Sequence, residues 1–260
     1  MLFQSYVPSP PLTEYVGLFW CAEARAQPHG TELILPTGTV ELVVSLRPDA
    51  TPLSGGAIVC GPHSQSIRKD TSQSEKVIGV HFKAGGAFPF LEAKADELHN
   101  SIALLESLWG RDAMRLRDQL LEAPCSAARF AIIEQTLIKR LATAPKQHSA
   151  VGRAVRQFES TQGLHISVLA HQIGLSSRRF AQLFSREVGM TPKRFCRVQR
   201  LQQVLKQVAA HRKVDWAELA LDCGYFDQAH LANEFRSLCS LSPKEYLERR
   251  GSRLNHVPLN

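Results

Sequence analysis

Between Leu169 and Tyr246 the chain carries one motif twice. The first copy runs Leu169-Ala170-His171-Gln172-Ile173-Gly174, a short turn, Arg179-Phe180-Ala181-Gln182-Leu183-Phe184, and closes on Thr191-Pro192-Lys193. The second runs Leu219-Ala220-Leu221-Asp222-Cys223-Gly224, a turn one residue longer, His230-Leu231-Ala232-Asn233-Glu234-Phe235, and closes on Ser242-Pro243-Lys244. Six positions are identical between the copies: Leu169/Leu219, Ala170/Ala220, Gly174/Gly224, Phe184/Phe235, Pro192/Pro243 and Lys193/Lys244. Phe180/Leu231, Thr191/Ser242 and Phe195/Tyr246 are conservative matches. A repeat of this length is one supersecondary unit used twice. Each copy has two short helical patterns separated by a glycine turn, so each reads as a helix-turn-helix unit.

Charge follows the repeat. Of the net +7, residues 1–149 contribute −1 (14 Lys+Arg, 15 Asp+Glu) and residues 150–260 contribute +8 (17 Lys+Arg, 9 Asp+Glu). A basic domain attracts a phosphate backbone through counterion release. The outward faces of the second helix of each unit carry groups that can read bases. With Phe180, Leu183 and Phe184 at i, i+3 and i+4, one face is buried. Ser177, Arg178, Ala181, Gln182, Ser185 and, at its edge, Arg186 then face outward. In the second unit Leu231, Phe235 and Leu238 face inward, leaving Gln228, Ala229, His230, Asn233 and Arg236 outward. Arginine pairs bidentately with guanine and glutamine with adenine on major-groove edges, while a small alanine permits close approach. Arg236 suits a phosphate better than a base. The bland alternative is a solvated basic helix surface.

Thr191-Pro192 supplies an N-cap and a first-turn proline for a connecting helix to about Ala210, with Phe195, Val198, Leu201, Val204 and Leu205 inward. About 18 residues at 1.5 Å rise span about 27 Å. Successive major grooves on one face of DNA lie about 34 Å apart. A rigid bridge of this length suits two reading helices roughly one turn apart.

The rest of the chain divides into a domain at 1–143, a polar proline-marked linker at 144–149 (Ala144-Pro145-Lys146-Gln147-His148-Ser149), the repeat domain at 150–250 and a flexible tail at 251–260. In the first domain Glu32–Leu35, Thr39–Leu46, Ala57–Cys60 and Lys76–Phe82 are β-type runs between Gly/Pro turns, with Gly55-Gly56 and Gly85-Gly86 read as turns. Short strands with such turns predict a small antiparallel barrel or sandwich. Helical patterns follow: turns at Ala95–His99 and Ile102–Trp109, then Asp112–Leu121 with Met114, Leu120 and Leu121 on one face, and Ala127–Leu141. These helices either pack on the sheet or form a dimer seam. Val151–Ser160 opens the second domain and ends near Gly163.

No apolar run approaches the roughly 18 residues of a membrane span, and the N-terminus lacks the pattern of a secretory signal, so a cytoplasmic chain is expected. The six cysteines never form Cys-x-x-Cys, which makes a zinc site improbable.

The repeat strongly resembles the DNA-binding domain of the AraC/XylS transcription regulators, two helix-turn-helix units bridged by a helix. The most specific segment is Gly224-Tyr225-Phe226-Asp227-Gln228-Ala229-His230-Leu231-Ala232-Asn233-Glu234-Phe235-Arg236 followed by Leu241-Ser242-Pro243-Lys244-Glu245-Tyr246, and Arg200-Leu201 in the bridge also fits. Ser240 stands where the family usually has glycine, as Gly189 does in the first copy. The resemblance implies sequence-specific binding of double-stranded DNA by Arg178, Ala181 and Gln182 and by Ala229, His230 and Asn233. It implies a cupin-like N-terminal barrel, with Gly79–Gly86 its most pattern-like segment, that binds a small-molecule effector or forms a homodimer. RNA polymerase is a further partner it allows. The resulting class is α+β with two domains, no enzyme activity and no cofactor. The competing reading is a metal-dependent cupin-type enzyme or sensor fused to the DNA-binding domain, with His29, Glu32, Glu41, His63 and His81 as candidate ligands. Their spacing is loose, and no His-x-His pair, nucleophile elbow or phosphate loop accompanies them.

Overall fold

The structure is a computed structural model and describes residues 2–27, 30–49, 56–160, 166–210 and 214–259. His29, Gly55 and Gly163 lie outside the described residues. The chain has two domains, sheet-rich then helical.

Nine strands form among the described residues: β1 (Leu2–Tyr6), β2 (Val16–Ala24), β3 (Thr31–Ile34), β4 (Glu41–Ser45), β5 (Ala57–Cys60), β6 (Ile67–Asp70), β7 (Glu75–Phe82), β8 (Ile102–Leu104) and β9 (His256–Leu259). They make two sheets, ordered β1-β2-β7-β4-β5-β8 and β6-β3-β9, antiparallel throughout. The expected closed barrel is therefore corrected to two open sheets. Closure needs every strand edge to be paired, yet among the described residues the two sheets share no ladder. One edge of β3 is occupied by β6 and the other by the last strand of the chain.

On one face of the larger sheet Phe19, Leu42, Val44, Val59, Ile78, Val80 and Phe82 are buried, alternating as a half-covered strand requires. Four helices cover them: α1 (Phe88–Leu91), α2 (Leu105–Trp109), α3 (Arg111–Glu122) and α4 (Ser126–Leu141). Leu116, Leu120, Phe130, Ile133 and Leu137 join that core, so α3 and α4 bury their stripes within the chain. Met114, expected on the inward face of α3, is instead 45% exposed, with Ala113 and Leu116 taking the inward positions. Residues 102–104, read as helical, form β8 against β5.

The helical domain comprises α5 (Ser149–Ser160), α6 (Ile166–Gln172), α7 (Ser177–Val188), α8 (Pro192–Ala210), α9 (Trp216–Asp222), α10 (Gln228–Cys239) and α11 (Pro243–Arg249). Its first core centres on Phe158, Phe180, Phe184 and Phe195, whose rings lie 5.5–6.3 Å apart. Its second core joins Leu201, Val204, Leu205 and Val208 of α8 to Leu231, Phe235 and Tyr246. Leu33, Leu35 and Val257 belong to this second core, so the smaller sheet packs on the helical domain.

The expected flexible tail is the second correction. After Arg250, the chain turns back and adds β9 to β3, with Val257 fully buried. Arg253 and His256 both bond to the Glu32 carboxylate, itself buried, at 2.8 and 3.1 Å. Burying a carboxylate is tolerated when it is paired in this way.

Candidate nucleic-acid interface

The two glycine turns are built alike. In the first, the Ile173 amide donates to Leu169, that of Gly174 to His171 and that of Leu175 to Ala170, at 2.9–3.1 Å. In the second, Cys223 donates to Leu219, Gly224 to Leu221 and Tyr225 to Ala220, at 2.8–3.0 Å. Both glycines sit at φ 73°, a left-handed value that other residues adopt at a cost. The next helix then starts on a side-chain cap. Ser176 accepts from the Arg179 amide at 3.3 Å, and Asp227 accepts from the His230 amide at 2.7 Å.

Each helix buries one face and exposes the other. Phe180, Phe184 and Val188 of α7 are buried, with Leu183 half-buried. Ser177, Arg178, Gln182 and Arg186 are exposed, while Ala181 and Ser185 are half-buried. Leu231, Phe235 and Leu238 of α10 are buried, and Gln228, Ala229, His230, Asn233 and Arg236 are exposed. Arg178, Gln182 and Asn233 have no side-chain hydrogen bond or ion pair among the described residues. Arg186 leans toward the sheet domain, its guanidinium 5.9 Å from the centre of the Phe88 ring. The His230 ring is fixed locally: Nδ1 accepts from the Phe226 amide at 3.2 Å, and Tyr225 packs edge-on at 5.3 Å. With Nδ1 accepting, the neutral ring carries its proton on Nε2, which makes His230 a donor toward a partner.

Residues 169–249 match a family model described as a helix-turn-helix domain. These residues form a helix-turn-helix domain. Residues 4–103 match a model described as a domain of unknown function (DUF6597). An uncharacterized HTH-type transcriptional regulator of Haemophilus influenzae is 33% identical over 82 residues, 32% of this chain. The match spans 27% of that relative's length. ToxT from Vibrio cholerae superposes with a TM-score of 0.43 at 10% identity, covering 95% of this chain and 98% of that one. The AraC-like transcriptional activator CuxR superposes with a TM-score of 0.21 at 15% identity, covering 78% and 86%.

Within the helical domain two buried carboxylates went unforeseen. Glu234 of α10 bonds Arg197 of α8 at 2.6 Å and pairs with Arg200 at 3.5 Å. Arg200 also donates to the Gly224 carbonyl at 3.2 Å and lies 5.1 Å from the Tyr225 ring centre. These contacts fix the second turn to the bridging helix. Glu187 of α7 accepts from the His148 amide at 3.0 Å, and burial raises its carboxyl to about 7. Both lay within reach of spacing: Glu187 is seven residues after Phe180 and Glu234 three after Leu231, on the inward faces.

The sheet domain holds the C-terminal ends of both exposed helices. Gly189, which ends α7 at φ 89°, lies against Pro62 and the Ala95 carbonyl. Ser66 donates its amide to the Leu238 carbonyl at 2.7 Å, one residue before α10 ends. Pro62 to Ser66 is four residues of advance, at most about 15 Å. One short stretch therefore touches both helix ends. It is itself pinned, with the Ser64 amide on Asn100 Oδ1 at 2.8 Å and the Asn100 amide on the Pro62 carbonyl at 3.2 Å.

Of the candidate metal ligands, the described Glu32, Glu41, His63 and His81 do not converge. Glu41 pairs with His81 on adjacent strands and accepts from Trp20 at 3.1 Å. Glu32 belongs to the tail contact, and His63 Nδ1 lies 2.7 Å from the Gly61 carbonyl. Among the described residues no group of three His, Cys, Asp or Glu could hold a metal ion, and no helix is long and apolar enough to cross a membrane.

Proposed function

We propose that this chain is a sequence-specific regulator of transcription that binds double-stranded DNA. The helix pairs α6–α7 and α9–α10 act as two helix-turn-helix units, and α7 and α10 enter successive major grooves. One observation carries this reading: both helices expose a polar face on which Arg178, Gln182 and Asn233 have no side-chain hydrogen bond or ion pair among the described residues, while their opposite faces pack against α8. A rise of about 1.5 Å per residue makes that 19-residue bridge about 28 Å long. Arg178 and Gln182 supply the guanine- and adenine-type pairings, Asn233 a further adenine-type pairing, and His230 an Nε2 donor for an acceptor on the base edge. Arg186 and Arg236, at the margins, suit phosphates. The sheet domain modulates this activity, through a small-molecule effector or a second copy of the chain.

The experiment is selection of bound duplexes from a random pool, followed by binding of Arg178→Ala and Gln182→Ala to the selected duplex and to random DNA. The expected loss on the selected duplex is about 5- to 150-fold per residue, the equivalent of 1–3 kcal/mol, with a much smaller loss on random DNA. Equal losses on both would remove base reading by α7.

A further inference from the structure

The two copies differ in length at one place, and the structure locates the difference. Leu175 and Tyr225 make the same backbone bond, to Ala170 and Ala220. The N-caps Ser176 and Asp227 make the same cap bond, to Arg179 and His230. In the first copy, cap follows turn directly. In the second, one residue stands between Tyr225 and Asp227, and that residue is Phe226. It is 84% exposed, the most exposed large hydrophobic side chain among the described residues.

An inserted phenylalanine that buries almost nothing contributes little to folding. Isolated exposed apolar residues are ordinary on protein surfaces, but this one occupies a particular place. It immediately precedes the cap of α10, at the end of the helix whose first residues meet base edges when such a helix enters a groove. Its backbone is fixed, because its amide donates to His230 Nδ1 at 3.2 Å. Asp227 beside it is committed to capping. Gln228 and Ala229, next along, are exposed. The major-groove feature that an apolar ring recognises is the C5-methyl group of thymine.

We infer that Phe226 is a specificity-determining residue of the second unit and reads a thymine methyl group in the major groove. The inference rests on the DNA-binding reading proposed above and names one base that the second unit selects.

The test uses the full chain and the duplex it selects from a random pool, with each thymine replaced singly by deoxyuridine, which lacks only the methyl group. For the unaltered chain, replacement at one or two thymines is expected to weaken binding about fourfold, the value of one buried methyl-sized group. Phe226→Ser is expected to bind the thymine and uracil duplexes equally, Phe226→Leu to keep part of the difference, and both to melt at the temperature of the unaltered chain. Indifference of the unaltered chain to every replacement would overturn the inference. So would a Phe226→Ser variant that still discriminates, or that loses affinity equally for both duplexes or for none, the pattern of a residue serving another protein. If the unaltered chain enriches no sequence, the DNA-binding reading falls first and takes this inference with it.

Discussion

Ser66 donates its hydroxyl to the hydroxyl of Ser240 at 3.1 Å, across the boundary between the two domains. Ser240 caps α10 in the left-handed region at φ 58°, where glycine would be unstrained. A non-glycine residue there costs roughly 1 kcal/mol. The serine offsets that cost with a bond that glycine lacks the atom to make, which gives the departure from the first copy's Gly189 a physical reason. Ser240→Gly is therefore expected to leave stability nearly unchanged, since relief of strain and loss of the bond are each about 1 kcal/mol. Ser66→Ala should cost about 1 kcal/mol in the unaltered chain and little once Ser240 is glycine. Urea titration of the four proteins in this cycle measures the coupling, and additive effects would show that the hydroxyl pair contributes nothing.

Gly189 and Gly174 make a matched pair. Both have positive φ, at 89° and 73°. A Cβ on Gly174 would meet nothing within 4 Å, whereas one on Gly189 would stand 2.4 Å from Pro62 Cγ and 2.8 Å from the Ala95 carbonyl oxygen. Gly174→Ala is expected to cost the conformational strain alone, about 1–2 kcal/mol. Gly189→Ala should cost clearly more and loosen the contact between domains. Equal costs in thermal melts would mean that this contact yields without penalty.

The legible parts of the chain were those whose partners are local. The spacing of Phe180, Leu183 and Phe184 and of Leu231, Phe235 and Leu238 marks inward faces without reference to anything distant. β-structure was harder, because its partners lie far along the chain. In β2 the alternation breaks at Gly17, where the register against β7 shifts between Val16 and Leu18. The strand β6 is Ile-Arg-Lys-Asp and has little apolar signal. Nothing in His256-Val257-Pro258-Leu259 announces a partner at residues 31–34. Barrel closure failed as an expectation for the same reason, since it depends on which strand reaches the edge of β3. For the interface, outward residues followed directly from the buried stripe. The contact of Arg186 with Phe88 depended on tertiary placement, while the bond that occupies His230 Nδ1 is a turn detail that spacing alone does not show. The extra turn residue was visible as a length difference, but only matched backbone bonds identify it as Phe226.

The last strand provides a third prediction. Val257 is fully buried in the core that also holds Leu33 and Leu35. Val257→Ala is expected to lower the unfolding free energy by about 1–3 kcal/mol, from lost burial and the space left behind. Removal of residues 256–260 should cost more, because it also uncovers one edge of β3 and removes the His256 bond to Glu32. Denaturant midpoints indistinguishable from that of the full chain would make these residues a free tail after all.

Glu187 yields a pH dependence of definite sign. Burial raises its carboxyl from the ordinary 4.5 to about 7, so the folded chain holds this proton more tightly than the unfolded chain does. Its contribution to stability is complete below about pH 4.5 and is lost as pH rises toward 7. Above that the ionised carboxylate remains a penalty on the order of 3 kcal/mol. Glu187→Gln keeps an oxygen to accept from the His148 amide and removes the titration. Relative to the unaltered chain, the glutamine variant should gain stability steadily between pH 5 and 7 and hold that gain at pH 8. Comparing the two proteins cancels the other titrating groups they share. Guanidinium melts at half-unit intervals make the measurement, and parallel stability curves across this range would show that Glu187 titrates in the ordinary carboxylate range.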